Sequence, residues 1–211
     1  MVVPLVGVLL IVLAAPAAAA QTVYNSSGSV TLAEADWSSF DEASGASTYG
    51  YATAYRAQGE SQAYLDFSQE TDSWVMCSDG GTPNDPSDDV FGLVASFVYA
   101  SGPARLEVSK SYSTAAADAT LDLSVGSFDE CAGTKDFTTT EGVAIAIDLS
   151  STSPLVKTSD HGSFHVPSEF NGHSTYRSTY REAAGSVTIG ANSIDAYGAM
   201  GKLSWSEHSN G

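Results

Sequence analysis

Hydrophobic and polar side chains alternate with a period of two residues along several parts of the chain. Residues 143–149 read Val-Ala-Ile-Ala-Ile-Asp-Leu, and residues 121–125 read Leu-Asp-Leu-Ser-Val. Successive side chains of a β-strand point to opposite faces, so this alternation predicts strands with one buried face.

The segment Val90–Ala100 is apolar at both alternating sets of positions. One set is Phe91, Leu93, Phe97 and Tyr99, and the other is Val90, Val94 and Val98. A strand that is apolar on both faces is typical of the centre of a sheet that is covered on both sides. We therefore expect neither face of this strand to be exposed.

Further short strands are predicted between turn signals, at residues 48–56, 62–69, 73–78, 104–112, 174–181, 185–189 and 202–205. The segment Ala57-Gln58-Gly59 is typical of a hairpin turn, and Ser101-Gly102-Pro103 and Gly190-Ala191-Asn192 indicate other turns. About ten short strands joined by turns predict an all-β fold, an antiparallel β-sandwich or barrel with little helix.

Composition supports this fold class, because the chain is rich in Ser, Thr, Gly, Ala and Tyr and poor in Lys, Glu and Leu. Such a composition disfavours long helices and favours strands and turns. The helix candidate is Leu32–Phe40, with Glu34 and Asp36 in its first turns.

The first 20 residues carry no charge and consist of an apolar run followed by an alanine-rich segment. This pattern is typical of a secretory signal peptide, with Ala18 and Ala20 at the positions that signal peptidase reads. The apolar run is shorter than the ~20 residues that span a membrane. We expect a signal peptide at residues 1–20 and a single secreted β domain at residues 21–211. The alternative is an uncleaved anchor, since no Lys or Arg precedes Arg56.

Acidic side chains dominate the charge, with 25 Asp and Glu against 8 Lys and Arg and a formal net charge of −17. Such a charge disfavours nucleic acid and anionic lipid as partners, and no membrane contact is expected after cleavage of the leader. A glycan or a protein at the cell surface stays open as a partner.

The two cysteines, Cys77 and Cys131, are predicted to form a disulfide bond, because an exported chain enters an oxidising compartment. The alternative is a reactive thiol, for which the sequence offers no Cys-x-x-Cys spacing.

Residues 79–89 form an acidic loop with the sequence Asp-Gly-Gly-Thr-Pro-Asn-Asp-Pro-Ser-Asp-Asp. Calcium takes oxygen ligands from loops of this kind, so its candidate ligands are Asp79, Asp85, Asp88 and Asp89. The spacing differs from that of an EF-hand. The alternative is a solvated turn whose Asp side chains accept hydrogen bonds from nearby backbone N–H groups. No other cofactor is indicated.

Tyrosines recur at alternate positions of the strand at residues 48–56. Tyr49, Tyr51 and Tyr55 share one face, and Tyr64 is expected to join them from the next strand. Such a platform can stack on sugar rings or anchor a protein partner. Ordinary cross-strand packing is the alternative.

The repeat Ser-Thr-Tyr-Arg at residues 174–177 and 178–181 places Arg177 and Arg181 on one strand face. Two guanidinium groups on one face could hold a carboxylate or sulfate group. The alternative is that they offset the surrounding acidic charge through weak surface ion pairs.

His161 and His165 are four residues apart, with His173 nearby, which invites a zinc-site interpretation. Gly162, Ser163 and Pro167 disfavour a helix there. On a strand the two rings would lie about 13 Å apart, too far for one metal ion.

The sequence contains no Gly-x-Ser-x-Gly elbow, His-Glu-x-x-His motif, P-loop or Rossmann glycine pattern. We therefore expect a non-catalytic binding or cell-surface module. The alternative is an extracellular hydrolase acting on polysaccharide, whose paired carboxylates only a structure can reveal. An inert envelope component is a third possibility, with neither an exposed platform nor a cleft.

Overall fold

The computed structural model describes residues 23–81, 86–166 and 170–210. These residues form nine β-strands: β1 (Val23–Asp41), β2 (Ala46–Ala57), β3 (Ala63–Ser78), β4 (Val90–Val108), β5 (Thr114–Asp129), β6 (Thr134–Ser151), β7 (Val156–Val166), β8 (Phe170–Ile189) and β9 (Asn192–Asn210). All neighbouring strands are antiparallel, which confirms the predicted fold class. The described residues contain no helix with the length and apolar composition needed to cross a membrane.

The strands belong to one sheet in the order β6-β5-β4-β3-β2-β1-β9-β8-β7. The second half of β8, Ala183–Ile189, also pairs with Ile145–Ser151 of β6. These bonds close eight strands into a ring around one interior, which removes two open edges.

The ring continues at one end into a smaller sheet that we call the projecting sheet. It consists of β7 with residues 170–180 of β8, 201–210 of β9 and 23–31 of β1. The first half of β8 pairs with β7, whereas its second half pairs with β6. Because β8 changes its partner, the inner face of the projecting sheet opens to solvent beyond the ring.

The core is the inward-facing set of side chains from the eight ring strands. Small and aliphatic residues dominate it, with Ala33, Ala35, Ala52 and Ala54 fully buried. Phe67 is 1% exposed and stacks on Trp37, with ring centroids 5.9 Å apart. Small side chains let opposite walls of the ring approach closely, and the few large ones fill the space between them.

Two turn predictions are confirmed. Residues after Ala57 connect β2 to β3, with Gly59 at φ +89°, and Gly190 and Ala191 connect β8 to β9, with Gly190 at φ +59°. Positive φ values are accessible to glycine without steric cost, so glycine at these two points permits the reversals.

The predicted helix at Leu32–Phe40 is wrong, because these residues lie in the long strand β1. Ala33, Ala35 and Trp37 point into the core while Glu34 and Asp36 point outward. This alternation has the period of a strand, and pairing with β2 and β9 on both sides overrides local helix propensity.

The prediction of a turn at Ser101-Gly102-Pro103 is also wrong, since the segment continues β4 opposite β3. Pro103 is tolerated there because the pairing of β4 with β5 stops after Tyr99 and resumes at Arg105. A proline lacks a backbone N–H, so it fits a stretch where one ladder is interrupted. Predicted strands merge in this way, and the strands are fewer and longer than expected.

The disulfide bond between Cys77 and Cys131 is present, with the two Cα atoms 5.1 Å apart. It links the end of β3 to the residues after β5 and passes over Gly92 of the intervening strand β4. A Cβ atom on Gly92 would lie 2.7 Å from Cys77 Sγ, so glycine leaves the space for the bond.

Candidate functional site

An open groove with aromatic walls runs over the outer surface of β2, β3 and β4, and we call it the aromatic groove. One wall is formed by Tyr49 and Tyr51 of β2, and the other by Phe97 and Tyr99 of β4. These four side chains are 44%, 44%, 36% and 48% exposed, respectively. They point away from the core, because residues of the opposite parity on both strands form it.

The floor of the aromatic groove is polar and comes from β3, which lies between the two walls. Ser68 pairs with Tyr51 on one side and Tyr99 on the other. Glu70 pairs in the same way with Tyr49 and Phe97. Adjacent strands are about 4.8 Å apart, so the backbones of the two walls are separated by roughly 9.6 Å. A depression of about 210 Å³ lies on the β1 and β2 side of this floor, lined by Asp36, Tyr49, Gly50, Tyr51, Ser68 and Glu70.

Hydrogen bonds hold polar groups of the groove in place. Tyr49 donates its hydroxyl to Asp72 Oδ1 at 2.6 Å, and Ser101 donates to Asp66 Oδ1 at 2.5 Å. The bond to Asp72 raises the pKa of the Tyr49 phenol, because deprotonation would lose the bond and place two negative charges together. Tyr49 is therefore a neutral wall residue with a fixed ring orientation.

Tyr55 and Tyr64 close one end of the aromatic groove. Their rings stack with centroids 6.1 Å apart, and Tyr64 is 44% exposed. Burial, followed by the nearby negative charge of Asp66, raises the pKa of the Tyr55 phenol. The stacked pair adds two aromatic side chains to the surface at this end of the groove.

Two carboxylates, Glu34 and Asp36, lie side by side on the outer face of β1 next to the groove. Asp36 pairs with Tyr51 of β2 and with Tyr197 of β9. Desolvation by burial, and then the neighbouring charge of Asp36, raises the pKa of Glu34. Desolvation also raises the pKa of Asp36. Both charges are therefore held at some cost to stability near neutral pH.

Replacing Glu34 with glutamine is expected to raise the melting temperature at pH 7, with a smaller gain as the pH falls towards 4. Folding raises the pKa of the Glu34 carboxyl, so its protonated form favours the folded state at pH values below the unfolded-state pKa. This stabilisation is lost as the pH rises through the folded-state pKa, where the carboxyl becomes charged. Thermal melts of both proteins between pH 4 and 8 measure the difference. Glu141→Gln, an exposed change on β6, is the control. A gain that is independent of pH would contradict the assignment.

The structure confirms that Tyr49, Tyr51 and Tyr55 share one face and that Tyr64 joins them from β3. Binding of a ligand by these residues stays a prediction.

The expected arginine pair is divided between two environments. Arg181 donates from Nε to the carbonyl of Ser111 and from Nη1 to that of Ser153. It therefore holds the β4–β5 and β6–β7 connections against β8. Arg177 is exposed on the inner face of the projecting sheet. Arg181 thus has backbone partners, while the guanidinium of Arg177 faces solvent.

Three of the four candidate calcium ligands, Asp79, Asp88 and Asp89, lie in the described part of the connection between β3 and β4, and Asp85 lies outside it. Asp79 Oδ1 accepts a hydrogen bond from the backbone N–H of Gly81, as expected for a solvated turn. Within residues 23–81, 86–166 and 170–210, no three His, Cys, Asp or Glu side chains converge as metal ligands. Calcium binding by the whole loop stays a prediction.

The histidines do not occupy a helix. His161 lies on β7 and His173 on β8, where His173 pairs with His208 of β9. His165 also lies on β7, opposite Asn171. The pairing of His173 with His208 was missed, because residues 35 positions apart meet only through strand register.

One wall of the aromatic groove was misassigned. Phe97 and Tyr99 were expected to be covered, but no layer of the described residues packs over the outer face of β4, and Phe91 on the same face is 54% exposed. An apolar pattern on both faces indicates hydrophobic side chains without showing that a second layer covers them. The unexpected exposure of large aromatic residues is itself a signal of a binding surface.

No protein-family model matches this chain, and neither a curated protein nor a solved structure is significantly similar to it.

Proposed function

We propose that the chain is a secreted, non-catalytic binding module whose aromatic groove binds a neutral glycan. The observation that carries the proposal is the arrangement of two exposed aromatic walls over a polar floor. Tyr49 and Tyr51 face Phe97 and Tyr99 across β3.

The chemistry of this groove suits a sugar chain. The faces of a sugar ring present C–H groups that pack on aromatic rings, while hydroxyl groups at its edges form hydrogen bonds. Ser68 and Glu70 offer oxygen atoms between the walls, where such hydroxyls would lie. Carboxylate acceptors form stronger hydrogen bonds than neutral acceptors, which favours a ligand rich in donors.

The negative charge around the aromatic groove favours a neutral glycan over an acidic one. Asp36, Asp66, Glu70 and Asp72 surround the groove, and the formal net charge of the chain is −17. A uronic acid or a sulfate group would be repelled there, whereas a neutral glycan carries no charge for these carboxylates to oppose.

Export of the protein is part of the proposal. Its supports are the signal-peptide pattern of residues 1–20 and the disulfide bond, since such bonds persist mainly in oxidising compartments.

The double substitution Tyr51→Ala and Tyr99→Ala is expected to weaken binding of a neutral glycan by about 10- to 100-fold. Each ring contact contributes roughly 0.5–1.5 kcal/mol, and 1.4 kcal/mol corresponds to a factor of ten in affinity. A panel of soluble glucan, mannan and xylan fragments first identifies the glycan that the wild type binds, and calorimetry then measures Kd for both proteins.

The matched control is Tyr24→Ala with Tyr176→Ala, two tyrosines of similar exposure outside the groove, at 59% and 42%. This control is expected to bind like the wild type. Absence of binding to every neutral glycan of the panel, or equal losses in the two double variants, would refute the proposal.

A polysaccharide hydrolase is the second candidate, favoured by the raised pKa values of Glu34 and Asp36. The two residues lie on the same side of β1 with a backbone separation of roughly 6.6 Å, so both carboxyl groups can face one bound sugar chain. They sit on an open outer surface, however, where water has free access. Incubation of the bound glycan with wild type and with Glu34→Gln decides between the two functions. New reducing ends that appear only with the wild type would favour hydrolysis.

A further inference from the structure

We propose that the inner face of the projecting sheet binds an acidic polysaccharide, and we call this surface the cationic face. Its central residues are Lys157 of β7, Arg177 of β8 and Lys202 of β9. This binding site is separate from the aromatic groove and has the opposite charge.

Strand register brings the three cations together. Lys157 pairs with Thr179, and Thr179 pairs with Lys202, so the two lysines lie in one row on one face. Arg177 lies in the next row, on the strand between the two lysines. Spacings of about 4.8 Å between strands and 6.6 Å between same-facing residues place Arg177 roughly 8 Å from each lysine at the backbone. All three side chains are exposed.

Acidic side chains are excluded from this surface. The four rows that run from Lys157, Ser159, His161 and Ser163 across β8, β9 and β1 contain only Ser, Thr, Asn, His, Lys and Arg. Over the whole chain, acidic side chains outnumber basic ones by 25 to 8. Among the described residues, none of Lys157, Arg177 and Lys202 forms an ion pair. Their charges are therefore available to a ligand.

The cation-rich surface continues into the mouth of the ring. Arg56 pairs with Thr31 in the row of Lys202, and Arg181 lies one row further into the ring. Five of the eight Lys and Arg residues thus share this inner surface. Arg56 and Arg181 donate to backbone carbonyls, which leaves the three outer cations for recognition.

The surface chemistry favours a polysaccharide over a protein partner. A stable protein interface has an apolar core with aromatic residues, and the four rows contain no apolar side chain. Hydroxyl groups of Ser159, Thr175, Ser204 and Ser206 surround Arg177 instead, and they can both donate to and accept from sugar hydroxyls. A shallow depression of about 360 Å³ lies beside them, lined by Thr175, Arg177, Ser204, Trp205 and Ser206.

The spread of the cations favours an extended polyanion over a single ion. The charges lie in two rows instead of converging on one point, so carboxylate or sulfate groups along a chain can each meet a different cation. A planar anionic membrane would approach the whole protein and meet its net charge of −17, whereas a single polysaccharide chain need approach only this face. At physiological ionic strength the Debye length is about 8 Å, so acidic residues elsewhere are largely screened.

Three histidines extend the cationic face away from the ring. His161 lies beside Thr175, with its Nδ1 atom 3.2 Å from Thr175 Oγ1. His173 and His208 pair directly, and His208 Nδ1 lies 2.5 Å from Asn25 Oδ1. Same-facing neighbours on the adjoining strands are Ser27, Ser163 and Ser206, which are neutral, and the nearby carboxylates Asp160 and Glu207 lie on the opposite face of the sheet. The ring nitrogens of these imidazoles can form hydrogen bonds with sugar hydroxyls, which extends the polar surface beyond the three cations.

The test compares binding of the mature chain, residues 21–211, to immobilised polygalacturonate, dextran sulfate and neutral dextran. We expect binding to both acidic polymers that weakens as salt is added, whereas any binding of neutral dextran by the aromatic groove is unchanged by salt and by substitutions in the cationic face. The double variant Arg177→Ser and Lys202→Thr introduces residue types already present on the face and is expected to bind at least 10-fold more weakly.

The charge-matched control is Arg105→Ser with Lys135→Thr. Arg105 is ion-paired with Glu107 on the outer surface, and Lys135 lies over the ring of Phe128 at the other end of the molecule. This control is expected to bind like the wild type, and thermal melts establish that each variant is folded.

Three results would overturn the proposal. The first is equal binding by the cationic-face variant and its charge-matched control. The second is tighter binding to phosphatidylserine vesicles than to either polymer. The third is self-association of the chain that is abolished by Arg177→Ser with Lys202→Thr. Failure here is distinguishable from failure of the proposed function, because the Tyr51→Ala and Tyr99→Ala variant keeps the cationic face.

Discussion

Replacing Phe67 with alanine is expected to lower the free energy of unfolding by about 3–5 kcal/mol. Phe67 is 1% exposed, is among the largest fully buried side chains, and stacks on Trp37. Its partners on both adjoining strands, Ala52 and Ala100, are alanines, which cannot extend into the space that a benzyl group leaves. A cavity therefore persists, and its cost adds to the lost transfer free energy of the ring.

Urea denaturation followed by tryptophan fluorescence measures this loss, since Trp37 reports directly on the site. The control is Phe40→Ala on the outer face of β1, where the side chain is 64% exposed and the expected change is within about 0.5 kcal/mol. If both substitutions have the same small effect, the assignment of Phe67 to the interior is wrong.

Removal of the disulfide bond by replacing both Cys77 and Cys131 with alanine is expected to cost about 4 kcal/mol. The bond joins residues 54 positions apart, and closing a loop of this length reduces the entropy of the unfolded chain by that amount in the chain-entropy model. Glycine at position 92 leaves room for the bond over β4, so its formation does not require the ring to distort.

Urea denaturation with and without a thiol reductant provides the measurement. The reductant is expected to bring the wild type close to the stability of the double variant and to leave the variant itself unchanged. A double variant as stable as the oxidised wild type would show that the bond adds no stability to the folded ring.

The alternation of side chains predicted the class of fold because it reflects a local property, the two-residue repeat of a strand. Residues 121–125 and 143–149 lie within β5 and β6 as expected. The same reasoning failed at Ser101-Gly102-Pro103, because tolerance of Pro103 depends on an interruption in the ladder with β5. That interruption belongs to the pairing of two strands, which the residues of β4 alone do not determine.

The aromatic groove was half predictable. Tyr49 and Tyr51 were placed on one face by their spacing, and the structure agrees. Phe97 and Tyr99 have the same spacing, but their strand is apolar on both faces, so spacing could not show which face would be covered. The answer came from closure of the sheet, which creates one interior and leaves the other face of every ring strand outside.

The cationic face was the least predictable feature. Lys157, Arg177 and Lys202 come from three strands, and only their register places Lys157 and Lys202 in one row with Arg177 beside them. Residues within a strand take alternate faces because of backbone geometry, and this much can be read along the chain. The choice of partner strand depends on the free energy of the whole folded ring. The chain order of residues therefore determined which side chains share a face of a strand, and tertiary pairing decided which of those faces became core, groove or cationic surface.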